Sequence, residues 1–354
     1  PAISNLPQSS TLDLTANVNV TGGFVDSVNF SSGNSSIVTV SPASDSSPSY
    51  ETVATGESLG STTLTANVIM SGSTQCTDNA TINVVDPGPW WQVIDADVLS
   101  LGNLTSSISS LCSGGCSPLF DLDGPGGFPG LPIYSGSYDF GSGTTSSTNW
   151  LAEATFNDTR QYTYSYFDKK VPVDTTINEI TTPSIAGSEI DSGGAIHDGY
   201  YWYHYDGDTY GDLTITSDVT IAADRKVVLF VESANLAIEG NVTISSDGQG
   251  FLLVIVGEGS SGTKGNINID SSVTSLEGLF LADNSFQSGT AGADSDSQLY
   301  IRGSVAAYGG ITLQRDLADD TQTPAEVIEY APELMLVFPK SLTLQRMRWE
   351  EVAP

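Results

Sequence analysis

The sequence predicts an all-β protein with an N-terminal β-sandwich, an irregular cap and a short parallel β-solenoid. Turn-forming Gly, Ser, Thr, Asn and Asp fill much of the chain beside its 39% of hydrophobic residues. Short stretches that alternate apolar and polar residues recur, whereas the sequence has no sustained helical periodicity. From residue 212 onward, a pattern of short apolar segments repeats.

The first 86 residues are predicted to form the sandwich, because about seven short alternating segments fall in this length. Four segments carry a resemblance: Val28-Asn-Phe30-Ser-Ser32, Ile37-Val-Thr-Val40, Gly60-Ser-Thr-Thr-Leu-Thr-Ala66 and Ala80-Thr-Ile-Asn-Val84. Their order resembles bacterial immunoglobulin-like domains. The resemblance implies that residues 1–86 form an immunoglobulin-like β-sandwich.

The middle of the chain lacks such periodicity. A Pro-Gly-Pro run follows Asp86 and breaks the strand pattern, which predicts a linker over residues 87–97. Its two tryptophans are expected to pack the linker onto the next domain, with a ligand platform as the alternative. Residues 98–211 are rich in Gly and Pro and are predicted to form an irregular cap, with an aromatic strand at 162–167.

Residues 212–324 are predicted to form the solenoid, because they repeat a pattern of three short apolar segments. A second apolar residue follows six positions after the start of every pass. Such a small unit cannot bury its apolar face alone, so the copies are expected to stack as parallel strands, with an antiparallel sandwich as the alternative. The four passes begin at Leu213, Leu236, Ile267 and Leu299.

Residues 325–354 are predicted to cap the solenoid with two strands, at 333–339 and 341–349. Without such a cap the last strand would expose a sheet edge. Arg346 and Arg348 form an unusual basic spot on an acidic chain. Pairing with local carboxylates or a contact between subunits would account for them.

The charge balance excludes two classes of partner. Eleven Lys and Arg face 42 Asp and Glu, which gives a formal net charge of −31. This field repels nucleic acid and anionic membranes, and no apolar run approaches the roughly 18 residues that a membrane-spanning helix needs. We therefore expect neither nucleic acid nor membrane insertion. The same field attracts cations, with Ca²⁺ the best match to carboxylates; a solvated acidic surface is the alternative.

The densest candidate site is aromatic. Five aromatic residues lie between positions 200 and 205. Because aromatic rings stack on sugar rings, Tyr201, Trp202 and Tyr203 are predicted to form a glycan or subunit contact. Alternatively, the tyrosines pack inside the first turn of the solenoid and Trp202 covers the edge of the solenoid.

The chemistry-bearing residues favour Ca²⁺ binding over catalysis. Asp206, Asp208 and Asp212 make an oxygen-rich loop that is the candidate Ca²⁺ site, although their spacing departs from an EF-hand. His197 and His204 accompany no nucleophile motif. Because Asp and Glu are so frequent in this chain, a pair of carboxylates does not indicate a catalytic site. We therefore expect no catalytic residues and no enzyme.

Processing signals point to the cell exterior. Cys112 and Cys116 enclose a Ser-Gly-Gly loop and are predicted to form a small disulfide, with a bond from Cys76 to either one as the alternative. Pro1 indicates a processed start. Glycosylation is predicted at the N-x-[S/T] sequons of Asn19, Asn29, Asn34, Asn79, Asn103, Asn157 and Asn241.

The rest of the chain carries a second resemblance, in Pro89-Trp-Trp91, Gly126-Gly-Phe-Pro-Gly130, the run at 303–316 and Trp349-Glu-Glu-Val-Ala-Pro354. These features resemble uncharacterised secreted proteins of candidate-phyla bacteria, and the resemblance implies a surface or adhesin-type protein. We expect a non-enzymatic, extracellular subunit of a cell-surface filament or layer, with copies of itself and glycans as partners. Residues 1–10 are a candidate arm that adds a strand to a neighbour. A monomeric adhesin stalk or glycan-binding module is the alternative, and a polysaccharide-degrading β-helix enzyme comes after it.

Overall fold

The all-β class is confirmed by the computed structural model. Thirty strands and four short helices lie within the described residues, and most of the sheets are parallel. In this part of the chain no helix is long and apolar enough to cross a membrane. The structure describes residues 3–8, 10–21, 23–71, 73–86, 88–108, 119–121, 132–141, 152–153, 162–258 and 264–343.

Two packed sheets make up the N-terminal region. Its strands are β1 (Ile3–Pro7), β2 (Thr11–Thr15), β3 (Ser27–Ser32), β4 (Val38–Ser41), β5 (Ser44–Asp45), β6 (Glu51–Gly56), β7 (Gly60–Met70) and β8 (Ser73–Val85). One sheet has the order β1-β8-β7-β3-β5 and the other β2-β6-β4. Every pairing is antiparallel except that of β1 with β8. Alternate residues turn inward and form a small core that includes Val38, Leu64 and Ile82.

The first strand corrects the expectation of a free N-terminal arm. Residues 3–7 pair in parallel with residues 81–85 of the same chain, and Leu6 is buried in the core between the two sheets. The backbone of this segment is therefore already satisfied within its own region. The motive for proposing strand exchange at residues 1–10 falls away.

The remaining strands pair in parallel and lie in stacked circuits of the chain, which together we call the coil. They are β9 (Trp91–Ile94), β10 (Val98–Ser100), β11 (Leu104–Ile108), β12 (Leu119–Asp121), β13 (Pro132–Tyr134), β14 (Tyr138–Gly141), β15 (Ala152–Glu153), β16 (Ile177–Ile180), β17 (Ser184–Ile185), β18 (Tyr201–Asp206), β19 (Leu213–Ile215), β20 (Val219–Ile221), β21 (Lys226–Glu232), β22 (Leu236–Ile238), β23 (Val242–Ile244), β24 (Phe251–Val256), β25 (Ile267–Ile269), β26 (Ser275–Ala282), β27 (Ser285–Gln287), β28 (Leu299–Ala307), β29 (Gly310–Thr312) and β30 (Glu326–Glu329). The helices are α1 (Tyr164–Asp168), α2 (Ser188–Asp191), α3 (Gly207–Tyr210) and α4 (Pro332–Leu336).

The circuits that begin with the strands from β16 to β28 each add a strand to two parallel sheets. The long sheet has the order β12-β9-β30-β28-β26-β24-β21-β18-β16, and the second sheet has the order β17-β19-β22-β25-β27-β29. A shorter third face pairs β20 with β23 and β23 with β26. Inward residues of all three faces, such as Leu229, Leu236 and Val242, share one core.

The long sheet is covered on both of its faces. All six residues of Phe251–Val256 are buried, because alternate side chains point into the coil and the others pack outward against Tyr164, Leu334 and Leu342. These three residues belong to α1, to α4 and to a single 3-10 turn at Lys340–Leu342. A continuous apolar run is typical of a strand buried on two sides.

The chain order of the coil corrects the predicted linker and cap. β9 lies inside the predicted linker at 87–97, yet it pairs in parallel with β30, near the other end of the chain. β10, β11, β13 and β14 lie inside the predicted irregular cap, and they extend the coil with parallel pairs. Sequence pattern missed them because each is only three to five residues long and their partners are distant in sequence.

The predicted repeat register holds for the first circuits and then changes. Leu213, Leu236 and Ile267 stand side by side in the second sheet, as the repeat predicts. Leu299, the fourth predicted start, instead belongs to the long sheet, and Phe286 takes its place beside Ile267. The third-face partner of Val242 is Leu276, not Val273. Insertions in the loops change the number of residues between successive strands, while backbone hydrogen bonds keep the strands stacked.

Two predicted aromatic or apolar strands are helices. Residues 164–168, which overlap the predicted strand at 162–167, form α1, and residues 332–336 form α4 in place of the strand predicted at 333–339. Both elements cover the long sheet with one apolar side. Such a side needs only three or four apolar residues, whether the segment is a helix or a strand. Most of the strand predicted at 341–349 lies outside the described residues.

Polar side chains line one corner of the coil as a ladder. Asn235 donates from its backbone and side-chain nitrogens to the Asp212 carboxylate at 3.0 and 3.1 Å. Asn266 donates to Asn235 Oδ1, and Asn266 Oδ1 accepts from the backbone and hydroxyl of Ser285. Each circuit thereby satisfies a corner amide of the next circuit.

Candidate functional site

A strand-wide gap interrupts the second sheet. After β30 the chain leaves the coil for α4, so the circuit that begins with β30 adds no strand to the second sheet among the described residues. β29 is therefore the last strand of the second sheet. The circuit stacked on the far side of β30 begins with β9, and its strand β10 is the first strand of a separate sheet. Two strand spacings separate these circuits, about 9.5 Å. We call the space between Gly310–Thr312 and Val98–Ser100 the cleft.

The cleft is large and mostly apolar. Its volume is about 1620 Å³. Leu99 and Leu101 on one wall and Ile311 on the other are large apolar side chains that remain 59%, 50% and 44% exposed. The described lining residues that carry charge are Asp95 and Asp97. A groove whose strand edges have no partner among the described residues, with apolar side chains and a negative rim, suits an extended, basic peptide segment.

Tyrosine side chains close one part of the cleft. Tyr162, Tyr308 and Tyr330 line it, and the Tyr308 hydroxyl accepts a hydrogen bond from the backbone nitrogen of Tyr162 at 2.6 Å. Burial raises the pKa of Tyr308. The phenol therefore stays neutral at physiological pH, and its role here is structural.

The predicted aromatic contact lies mostly inside the protein. Trp202 and Tyr203 are 2% and 4% exposed, which corrects the prediction that they form a glycan or subunit contact. Trp202 stacks on Phe230 on the outer side of the long sheet, and Tyr203 points into the coil. The ring of Tyr201 lies 3.8 Å from the guanidinium of Arg225. Tyr201, Tyr203 and Tyr205 pack inside the first circuits, as the alternative interpretation had it, whereas Trp202 covers the outer face of the long sheet and not its edge.

Two of the three predicted Ca²⁺ ligands have other side-chain contacts. Asp206 caps α3 by accepting from the backbone nitrogen of Asp208 at 3.0 Å and from Thr209. Asp212 belongs to the corner ladder and pairs with Lys264 at 2.5 Å. Across the described residues no group of three or more His, Cys, Asp or Glu is arranged to hold a metal ion. Ca²⁺ binding at this loop stays a prediction.

One histidine bridges three strands of the long sheet. His204 Nδ1 lies 2.9 Å from Glu179 and its Nε2 lies 3.3 Å from Glu232. Burial lowers the pKa of His204, but the two carboxylates outweigh burial and raise the pKa above its usual value. When it is protonated, the ring ties the end strand β16 to β18 and β21. His197 lies 3.6 Å from Asp198 and is separate from this cluster.

The predicted processing sites are mostly at the surface. Asn19, Asn29, Asn34, Asn79 and Asn103 are exposed. Asn241 differs, because its side-chain oxygen accepts from the backbone nitrogens of Thr274 and Ser275 at a corner of the coil. Cys76 is an exposed free thiol. Asn157 and the Cys112–Cys116 pair lie outside the described residues.

Sequence reasoning missed two groups of residues. The walls of the cleft escaped it because Leu99, Leu101 and Ile311 become neighbours only through pairing of distant strands. It also missed a buried acidic group around Asp320. The run of acidic residues at 316–320 was a usable signal for this second group. Searches of protein-family models, curated proteins and solved structures found no match for this chain.

Proposed function

We propose that the chain is a non-enzymatic structural subunit of an extracellular, cell-surface filament or layer. In this proposal, the N-terminal sheets are an immunoglobulin-like sandwich and the coil is a parallel β-solenoid. The cleft carries the proposal, because the two strand edges that face it lie at a fixed spacing and have no partner in the part of the chain that the structure describes. A strand from a second copy would complete the interrupted sheet and join subunits through main-chain hydrogen bonds.

The donor segment we propose is 344–349 of the second copy. This segment lies outside the described residues. Its sequence is Leu-Gln-Arg-Met-Arg-Trp, in which polar and apolar residues alternate from Arg346 to Trp349. Arg346 and Arg348 complement Asp95 and Asp97 at the cleft. In an acidic chain, such a basic segment also lowers the repulsion between copies.

A charge placed in the cleft tests this assembly. Ile311→Asp should prevent filaments or sheets in negative-stain electron microscopy and shift the protein to monomers in sedimentation. Leu59→Asp is the matched control, because Leu59 is 46% exposed but lies on the N-terminal region, and it should assemble normally. Ending the chain after Thr343 should have the same effect as Ile311→Asp.

The outcomes separate the assembly from its donor. If the native protein forms only isolated short rods, the structural-subunit function is wrong, and an adhesin stalk or glycan-binding module becomes the better proposal. If Ile311→Asp blocks assembly but truncation does not, the cleft is the interface and the donor strand lies elsewhere in the chain.

A further inference from the structure

An amine, a carboxylate and an amide meet at one corner of the coil. Lys264 Nζ lies 2.5 Å from Asp212 Oδ1, and the side-chain nitrogen of Asn235 donates to Asp212 Oδ2 at 3.1 Å. The carboxylate therefore holds the amine and the amide against its two oxygens at the same time. The amine is a nucleophile, the amide carbon is an electrophile, and the carboxylate can carry a proton between them.

Two further hydrogen bonds polarise the amide. Asn235 Oδ1 accepts from the backbone nitrogen of Asn266 at 3.2 Å and from its side-chain nitrogen at 2.7 Å. Two donors on one carbonyl oxygen stabilise the negative charge that develops there when a nucleophile adds to the carbon. The orientation of the Asn235 amide follows from its partners, because an ionised carboxylate only accepts and a backbone N–H only donates.

The carboxylate is placed to move a proton. Partial burial raises the pKa of Asp212, but the hydrogen bonds from Asn235 and the contact with Lys264 outweigh burial and lower the pKa. Asp212 is therefore ionised and can take a proton from the Lys264 ammonium group, which leaves a neutral amine. The neutral amine is a minor state, but each chain needs to react only once, and the amine is already held beside the amide.

We propose that Lys264 and Asn235 form an intramolecular isopeptide bond with Asp212 as the acid–base group. Lys264 Nζ adds to Asn235 Cγ, and the bond from Cγ to Nδ2 breaks. Asp212 passes the proton that the attacking nitrogen loses to the departing nitrogen. The amine and the primary amide thereby become a secondary amide and one molecule of ammonia, so the reaction consumes no oxidant.

The bond closes one circuit of the coil into a covalent ring. Asn235 directly precedes β22, Lys264 lies just before β25, and the chain between them contains β22, β23 and β24. Such a ring restricts the unfolded chain as a disulfide does, and tension on the ends of the chain cannot unravel this circuit. The inference does not depend on assembly at the cleft.

Intact-mass spectrometry of the full-length protein, produced without N-glycans and with its disulfides reduced, tests the bond. The chain should be about 17 Da lighter than its sequence mass, because one ammonia has left. Fragmentation of a proteolytic digest should show a branched peptide that joins Asn235 to Lys264. Lys264→Arg keeps the positive charge beside Asp212 but removes the nucleophile, so this variant should keep the full mass. Asp212→Asn should slow the conversion at least about tenfold.

Lys226 is the matched control lysine. Its Nζ contacts the amide oxygen of Gln249 at 3.2 Å, whereas that of Lys264 contacts a carboxylate. Lys226→Arg should therefore leave the mass loss and the branched peptide unchanged. A native protein that keeps its full mass through prolonged incubation overturns the proposal. A loss of ammonia that persists in Lys264→Arg also overturns it, because cyclisation of an asparagine to a succinimide needs no lysine.

Discussion

The N-terminal sheets and the coil bury the apolar faces of their β-sheets in different ways. In the sheets of residues 3–85, strands pair almost entirely antiparallel, one face of each sheet is exposed, and the cores are small. In the coil, strands pair in parallel and their inward faces build one large apolar core. Antiparallel sheets tolerate water on one face, whereas parallel sheets are buried on both.

The difference extends to polar groups. The coil encloses Arg225, Arg315 and Glu326 and runs asparagines along its corners, because each circuit must turn sharply inside a packed structure. The N-terminal sheets bury hydroxyl groups such as that of Thr52, and their asparagine contacts lie at the surface. We therefore expect buried charges and corner amides to affect the stability of the coil but not that of the N-terminal sheets.

The largest expected effect is the loss of the buried arginine. Arg315→Met should destabilise the coil by about 4 kcal/mol, because it leaves the buried carbonyls of Ser288, Asp270 and Val273 without the donor that the guanidinium supplies. Thr52→Val in the N-terminal sheets should cost only about 1 kcal/mol, since the hydroxyl makes one bond to the Pro42 carbonyl. Chemical denaturation followed by circular dichroism measures both changes. Equal losses would contradict the contrast.

An intermediate effect is expected at the corner ladder. Asn266→Ala should cost about 2 kcal/mol, because it leaves the Asn235 oxygen and the Ser285 amide without their partner. Asn79→Ala is the control: Asn79 is exposed and accepts only from Thr65, so its loss should cost less than about 0.5 kcal/mol. Hydrogen exchange at Ser285 would show the local opening directly. Unchanged protection there would mean that water replaces the asparagine.

The smallest expected effect is a pH dependence confined to the coil. Protonated His204 stabilises the coil, because its pKa is higher in the folded than in the unfolded state. This stabilisation is fully present below the unfolded-state pKa of about 6.5 and is lost as pH rises through the folded-state pKa. His204→Gln should remove the loss of coil stability that accompanies a rise of pH above about 6.5. Both histidines of the chain lie in the coil region, so the unfolding of the N-terminal sheets should show no such change. A pH dependence that survives His204→Gln would assign the effect to other groups.

Local pattern predicted the elements that depend on neighbours in sequence. Leu213–Ile215, Val219–Ile221 and Lys226–Glu232 are strands as the apolar repeat predicted. Prediction was wrong where a short apolar segment fits either conformation, as at Tyr164–Asp168, and where a strand finds its partner far away, as at Trp91–Ile94. The candidate contact at Trp202 was also wrong, because periodicity does not reveal which face a helix covers.

The sequence by itself determined the all-β class and the acidity that keeps nucleic acid from the list of expected partners. The first circuits also follow from it, because alternation and turn residues act within a few positions of one another. Only the tertiary structure decided that residues 91–94 would stack on residues 326–329. That pairing leaves the cleft between β29 and β10 and brings the acidic loop around Asp320 beside Trp90. Backbone hydrogen bonds between parallel strands carry no sequence code, so distant partners are chosen by packing of the whole coil.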